Sequence, residues 1–395
     1  MLCIRHIALA TVAFSLAACT DTPSVTSPIS GLASSRAATP LWANSYVGTT
    51  GPGADYAIYV PNGWNGDVVY YAHGIRDAAE PVGLPTSSIS ELRDSLGVMG
   101  YAVAYSSFSE NGWAVKDGMQ RTHQLRGLFA SNVGTPKRSF VVGHSMGGLI
   151  ALGLAEQYPQ QYDGALPMCG VVGGAQKQVD YIANVRTVFD YFYPGVLPGD
   201  ALDMPIGLNL NTQVLGPAQF AIVSNPTGAG AMARIAQIPL PFASGPELVQ
   251  SILTAIAFDA RGADDLLDRT HGHSPFDNSA TEYTGWLPAP LLGDLNNRVA
   301  RFTETPDAAN YLSRYYEPSG DLRIPTLSIH TTRDPVVPIF HEGVYAGRAT
   351  TKGANSMLVQ RSITRYGHCT FAIGEMTNAF RTLADWVSTG VRPTQ

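Results

Sequence analysis

The chain has 395 residues, 45% of them hydrophobic and 14% charged, which supports a large buried core and rules out disorder over most of its length. Its formal net charge of −6 argues against the clustered basic surface that a phosphate backbone requires, so nucleic acid is not an expected partner. Beyond the N-terminal segment, no apolar run reaches the roughly 18 residues of a membrane span.

At the N-terminus, Arg5 and His6 precede an apolar stretch from Ile7 to Leu16, which closes on Leu16-Ala17-Ala18-Cys19. A positive start, a short apolar middle and small residues before a cut form the layout of an export signal. The closing residues resemble the lipobox of bacterial lipoproteins. That resemblance implies removal of residues 1–18, acylation of Cys19, and an exported protein lipid-anchored on the periplasmic or cell-surface side of a bacterial membrane. Firm anchoring takes more than one acyl chain, which a lipoprotein cysteine carries. The alternative is an ordinary signal peptide with a chance cysteine. Residues 19–40 are rich in Ser, Thr, Pro and Ala and read as a flexible tether, with a reach of roughly 25 Å.

Strands are predicted over residues 55–60, closed by Pro61-Asn62-Gly63, and over residues 67–72, an almost wholly apolar run that suggests cover on both faces. A helix follows at 90–96, a buried strand at 100–105 and a polar helix at 116–129. The apolar run Ser139-Phe140-Val141-Val142 leads into Gly143-His144-Ser145-Met146-Gly147, and a helix continues to Tyr158 before Pro159. A short strand spans 163–169. The alternation of strands and helices implies a parallel sheet.

From about 171 to 319 the alternation lapses. Val179, Ile182, Val185, Phe189 and Phe192 recur at helical spacing, and Ser244 with Glu247 reads as a capping box opening a second helix. Gly- and Pro-rich pieces such as 225–230 separate them. The sheet resumes with strands at 324–330 and 356–363, and a helix at 377–387 closes the chain.

Three residues fall at carboxyl ends of strands, where parallel sheets bind ligands: Ser145, Asp334 and His368. A serine hydroxyl needs a base to take its proton and a third group to orient that base. The order Ser, Asp, His, with Gly-x-Ser-x-Gly between a strand and a helix, resembles the α/β-hydrolase superfamily, of the serine esterase and lipase kind. The resemblance covers about residues 50–170 and 320–390. It implies an α/β fold: a mostly parallel, doubly wound sheet, residues 41–170 and 320–395, with a large, mostly helical cap insertion at 171–319. It also implies roles. Ser145 is the nucleophile, His368 the base and Asp334 its orienter. The backbone N–H groups of Ile75, after His73-Gly74, and of Met146 form the oxyanion hole. Gly143, His144 and Gly147 shape the elbow. Asp321 competes with Asp334 for its role. His330 reads as structural and His123 as a helix-surface residue. His271-Gly272-His273 with Asp277 reads as a polar loop, because no second cluster at ligand spacing accompanies it; no metal or other cofactor is expected.

Cys169 ends the strand after the nucleophile helix and Cys369 follows the base, at the same edge of the sheet. A disulfide between them would pin the His368 loop; two separate buried thiols are the alternative. The tannase and feruloyl esterase family also has a cysteine after its histidine, but its partner cysteine directly precedes the serine. Here His144 holds that position, so that family's substrates do not transfer.

The expected function is hydrolysis of small-molecule or polymeric carboxylic esters through an acyl-enzyme. Alternatives are a serine aminopeptidase of the proline-iminopeptidase kind, a hydrophobic-ligand-binding lipoprotein on a hydrolase scaffold, and acyl transfer to an acceptor other than water. The aromatic residues Tyr181, Phe189, Tyr191, Phe192, Tyr193 and Trp286 suggest an apolar pocket or ordinary core, and Trp113 and Phe108 are candidates to approach the site. The sequence does not fix the oligomeric state.

Overall fold

The computed structural model describes residues 40–51, 53–86, 89–205, 207–239, 244–285 and 287–394. The export signal, Cys19, residues 19–39 of the tether and Trp286 lie outside the described residues.

Among the described residues eight strands form one sheet: β1 (Trp42–Thr50), β2 (Ala54–Pro61), β3 (Asp67–Ala72), β4 (Ala102–Ser106), β5 (Arg138–His144), β6 (Gly164–Met168), β7 (Thr326–Arg333) and β8 (Leu358–Tyr366). Their order is β1-β2-β4-β3-β5-β6-β7-β8. All neighbours from β4 to β8 pair in parallel; β1–β2 and β2–β4 are antiparallel. The helices in chain order are α1 (Ser90–Val98), α2 (Val115–Asn132), α3 (Met146–Gln157), α4 (Ala175–Phe192), α5 (Gly216–Ser224), α6 (Pro226–Ile235), α7 (Gly245–Arg269), α8 (Ala289–Arg298), α9 (Pro306–Arg314), α10 (Phe340–Thr351) and α11 (Ile373–Thr389).

The period of two along each strand sorts its side chains to two faces. Val68, Tyr70 and Ala72 of β3 join Leu125 and Phe129 of α2 and Leu149 and Ile150 of α3. Val69 and Tyr71 join Leu92 and Leu96 of α1 and Phe380 and Leu383 of α11 on the other side. Helices on both faces explain why every residue of β3 is buried and why its sequence is nearly all apolar. β1 is the strand that sequence reasoning missed. It lies at the sheet edge, paired only to β2, and most of its side chains are exposed or half-buried, so it carries no strong apolar signal.

Residues 171–319 contain α4 to α9 and, among the described residues, no strand. They bury a core of their own, in which Val185, Val188 and Phe189 of α4 meet Met232 of α6 and Ile252 and Ile256 of α7. The Gly- and Pro-rich piece at 225–230, expected to interrupt the helices, instead opens α6. The Asn225 side chain accepts the Gly228 N–H at 3.0 Å, and Pro226 stands in the first turn, where its missing N–H costs nothing. Ser244 caps α7 by accepting the Glu247 N–H at 3.3 Å. The reciprocal half of the capping box is not made. Glu247 reaches away to accept from Arg333 Nε at 2.7 Å, which fastens α7 to the end of β7. Tyr181, Phe189 and Tyr193 lie buried in the helical core, with Tyr191 and Phe192 packed at its margin, so these aromatics serve packing.

Candidate active site

β5 ends at His144 and α3 begins at Met146, which leaves Ser145 alone at the turn with φ 56° and ψ −124°. A non-glycine residue there is strained and must be held by its surroundings. The glycines make the close approach possible. A Cβ on Gly143 would overlap the Gly147 carbonyl, and one on Gly147 would overlap the Ala72 carbonyl at the end of β3. The Ser145 N–H donates to Met168 O at 3.0 Å, and Ser145 O accepts from Gly148 N at 2.9 Å.

The three residues read from the sequence converge here. His368 Nε2 lies 2.8 Å from Ser145 Oγ, and His368 Nδ1 lies 2.7 Å from Asp334 Oδ2. An ionised carboxylate only accepts, so Nδ1 carries the proton and Nε2 is free to accept from the serine hydroxyl. Asp334 is fully buried, and its Oδ1 accepts the N–H groups of Val336 and Val337 at 2.9 and 3.0 Å. Asp321, the competitor, pairs instead with Arg323 on the surface.

His330, read as structural, stands directly behind this carboxylate. Its Nε2 donates to Val337 O at 2.7 Å and is 3.7 Å from Asp334 Oδ2, while Nδ1 donates to Glu342 Oε1 at 3.0 Å. Glu342 Oε2 accepts from Ser328 Oγ and Gln360 Nε2, each at 2.6 Å. With acceptors at both nitrogens, the ring is fully satisfied only when doubly protonated. Burial disfavours that charge, but the hydrogen bond to Glu342, its carboxylate charge and that of Asp334 outweigh it and raise the His330 pKa. His341, the other titratable group facing His330, is held well below the ordinary value by burial and stays neutral.

Gly74 lies against Ser145; a Cβ there would come within 3.1 Å of Ser145 Cβ. His73 anchors this turn, with its ring nitrogens at 2.7 Å from Gly74 O and 3.1 Å from Ser107 O and its face stacked on Phe108 at 3.8 Å. The next residue is Ile75, and among the described residues neither its N–H nor that of Met146 is given to another backbone or side-chain acceptor. His144 is tucked beside the elbow, its Nδ1 3.1 Å from the Tyr71 hydroxyl and its Nε2 3.2 Å from Met376 Sδ. Burial lowers its pKa to about 4, so it remains neutral next to the nucleophile.

Cys169 and Cys369 form a disulfide with Cα atoms 5.4 Å apart. The His368 loop is further held by Thr331 Oγ1 donating to Gly367 O at 2.7 Å and by Gly367 N donating to Arg333 O at 3.0 Å.

Ser145 and His368 open on a cleft of about 680 Å³, whose other walls include Tyr71, Ile75, Leu84, Phe258, Val336 and Met376. Glu80 also lines it, with its carboxylate 3.7 Å from Arg76 Nη2. Sequence reasoning missed Phe258, which the insertion's α7 brings in from 113 residues beyond Ser145. Tyr71 was findable, since it sits one residue before the carboxyl end of β3. Two other histidine readings change or stand apart. His123 is half-buried, stacked on Tyr158 at 4.1 Å and bonded to the Tyr162 hydroxyl at 3.0 Å, rather than on the surface. His273 faces Asp307 at 3.7 Å, while Asp277 accepts from Ser279 at 2.8 Å, so the residues of that loop do not converge.

The order of the sheet, its antiparallel second strand and the strand–turn–helix at Ser145 are those of an α/β-hydrolase. Residues 59–182 match the family model described as "Putative esterase", which spans β3 to β6 and the elbow. The chain thus has the α/β-hydrolase fold, and the segment that carries the elbow is similar to that esterase family. No curated protein matches it. Similar solved structures include the rice cell wall degrading esterase LipA of Xanthomonas oryzae, 12% identical over 85% of each chain, with a TM-score of 0.42. An esterase from Aspergillus oryzae is 14% identical over 88% of this chain and 80% of its own, with a TM-score of 0.49. The Pyrococcus horikoshii acylaminoacyl peptidase is 10% identical over 89% of this chain and 42% of its own, with a TM-score of 0.45.

Two outcomes test the geometry. Because folding raises the His330 pKa, its protonated ring contributes stability below the unfolded value of about 6.5, and the contribution is lost as pH climbs through the raised value. The stability gap between wild type and His330→Gln, measured by urea unfolding, should therefore be wider at pH 5.5 than at pH 9; an equal gap would mean that the ring is uncharged in the fold. Replacing both cysteines by serine should cost roughly 2–5 kcal/mol of stability and lower kcat, since the bond holds the loop that carries the base. Unchanged kcat in a destabilised double variant would separate the bond from catalysis.

Proposed function

We propose that the protein hydrolyses carboxylic esters through a serine acyl-enzyme. The observation that carries this reading is the continuous relay from Ser145 Oγ to His368 Nε2 at 2.8 Å and from His368 Nδ1 to Asp334 at 2.7 Å. Ser145 Oγ attacks the ester carbonyl as its proton passes to His368 Nε2. The developing oxyanion takes the N–H groups of Ile75 and Met146, and the imidazolium is stabilised by Asp334. His368 then protonates the leaving alcohol. Water, deprotonated by the same nitrogen, attacks the acyl-enzyme and releases the acid.

An aminopeptidase must pair its substrate's ammonium with a carboxylate. Among the described residues lining the cleft, the carboxylate outside the relay is Glu80, and Arg76 already stands beside it. That favours an ester over an N-terminal amine substrate. Turnover of p-nitrophenyl esters of increasing chain length, beside aminoacyl-p-nitroanilides, is the direct test. Ser145→Ala should reduce ester kcat by at least ~10⁴-fold; cleavage of anilides without esters would favour the peptidase instead.

The sequence signal at residues 1–19 supports export and a lipid anchor on Cys19. Cys19→Ser should shift the protein from the membrane pellet to the soluble fraction after cell breakage, and an unchanged distribution would remove the anchor from this reading.

A further inference from the structure

A second, smaller cavity of about 60 Å³ adjoins the Ser145 cleft and shares Ile75 and Phe258 with it as walls. Most of its lining is apolar, with Val179 and Ile182 from α4 and Leu266 from α7. Three polar side chains interrupt that surface: Trp113, Gln178 and Asp259, which are only 6%, 2% and 3% exposed. Each keeps one buried atom with no hydrogen-bond partner, namely Trp113 Nε1, Gln178 Oε1 and Asp259 Oδ2. The remainder of each arrangement is accounted for. Gln178 Nε2 donates to Val336 O at 2.8 Å, which leaves its oxygen as the free end. Asp259 Oδ2 is the exception: it lies 3.6 Å from Arg186 Nη1, an ion pair, and burial raises its pKa well above the ordinary carboxylate value.

Leaving such an atom unpaired is unfavourable, because burial strips it of water without a replacement. Trp113 Nε1 and Gln178 Oε1, two such atoms in one largely apolar cavity, mark a place where a partner is supplied from outside. The donor set restricts that partner. A carboxylate would face the oxygens of Gln178 and Asp259, and an ammonium would sit near the Arg186 guanidinium. A hydroxyl both donates and accepts, so one group meets the indole N–H and an oxygen acceptor, while the Val, Ile and Leu walls suit the carbons that bear it. Ile75 links the cavity to the chemistry: its N–H is the second oxyanion donor, so an acyl chain whose carbonyl is held there runs past its side chain. We propose that this cavity is a subsite for the hydroxyl of a short hydroxyacyl ester. The inference rests on the ester-hydrolase reading above and names its substrate class.

The test compares methyl butyrate with both enantiomers of methyl 3-hydroxybutyrate, and methyl hexanoate with methyl 6-hydroxyhexanoate, by pH-stat on the full chain. At least one hydroxyacyl ester should exceed its deoxy partner in kcat/KM by roughly tenfold, mostly through KM. Trp113→Phe and Gln178→Leu should each bring that ratio towards one, with melting temperatures recorded so that a loss of fold is not read as a loss of recognition. Wild-type ratios of one or less in every pair would overturn the proposal and leave water as the cavity's occupant. Ratios unmoved in both folded variants would also overturn it. Failure to hydrolyse any of the esters would instead bring down the ester-hydrolase reading on which it rests.

Discussion

The arrangement hangs on one unfavourable backbone angle. Ser145 sits at a positive φ that its side chain resists, and the turn survives because everything around it is too close-packed to let it relax. Gly143 and Gly147 touch backbone where any side chain would collide, and β3 supplies the carbonyl against which Gly147 rests. The serine is thereby lifted clear of the sheet, with the first turn of α3 behind it. The same crowding brings Gly74 against its Cβ, which sets Ile75, the proposed oxyanion donor, relative to Ser145.

From that serine a line of hydrogen bonds and charges runs inward through His368 and Asp334 to His330 and Glu342. Its signs alternate. A buried carboxylate without partners would be costly; two backbone N–H groups donate to Asp334, and the His330 ring stands 3.7 Å behind it. The far end closes on Ser328 and Gln360, so no group of the line is left facing an apolar wall.

The core of the fold was legible because β3 and β5 are apolar on both faces, a pattern that only a sheet covered on both sides requires. Ser145, Asp334 and His368 were legible because each follows the carboxyl end of a strand, β5, β7 and β8. Where burial is partial, the signal fades. β1 at the sheet edge and α6 behind its Asn225 cap lack the expected periodicity or composition, and both went unread. The site's remaining walls were out of reach for a different reason. Gln178, Phe258 and Asp259 come from two helices of the insertion, and how α4 and α7 lie over the sheet is encoded by no spacing in the chain, although Trp113 could be placed near the site. His330 could be placed in a strand, yet its partnership with Glu342 is set by the turn into α10.

The disulfide joins Cys169 to Cys369 across 200 residues, and the loop it closes contains the whole helical insertion. The chain therefore passes twice through one covalent gate beside the active site, once on leaving the first half of the sheet and once on finishing the second. A cut anywhere among α4 to α9 would divide the polypeptide without parting Ser145 from His368, because the two fragments that bear them would stay bonded. The helical insertion is in that sense topologically separable from the sheet that carries Ser145, Asp334 and His368.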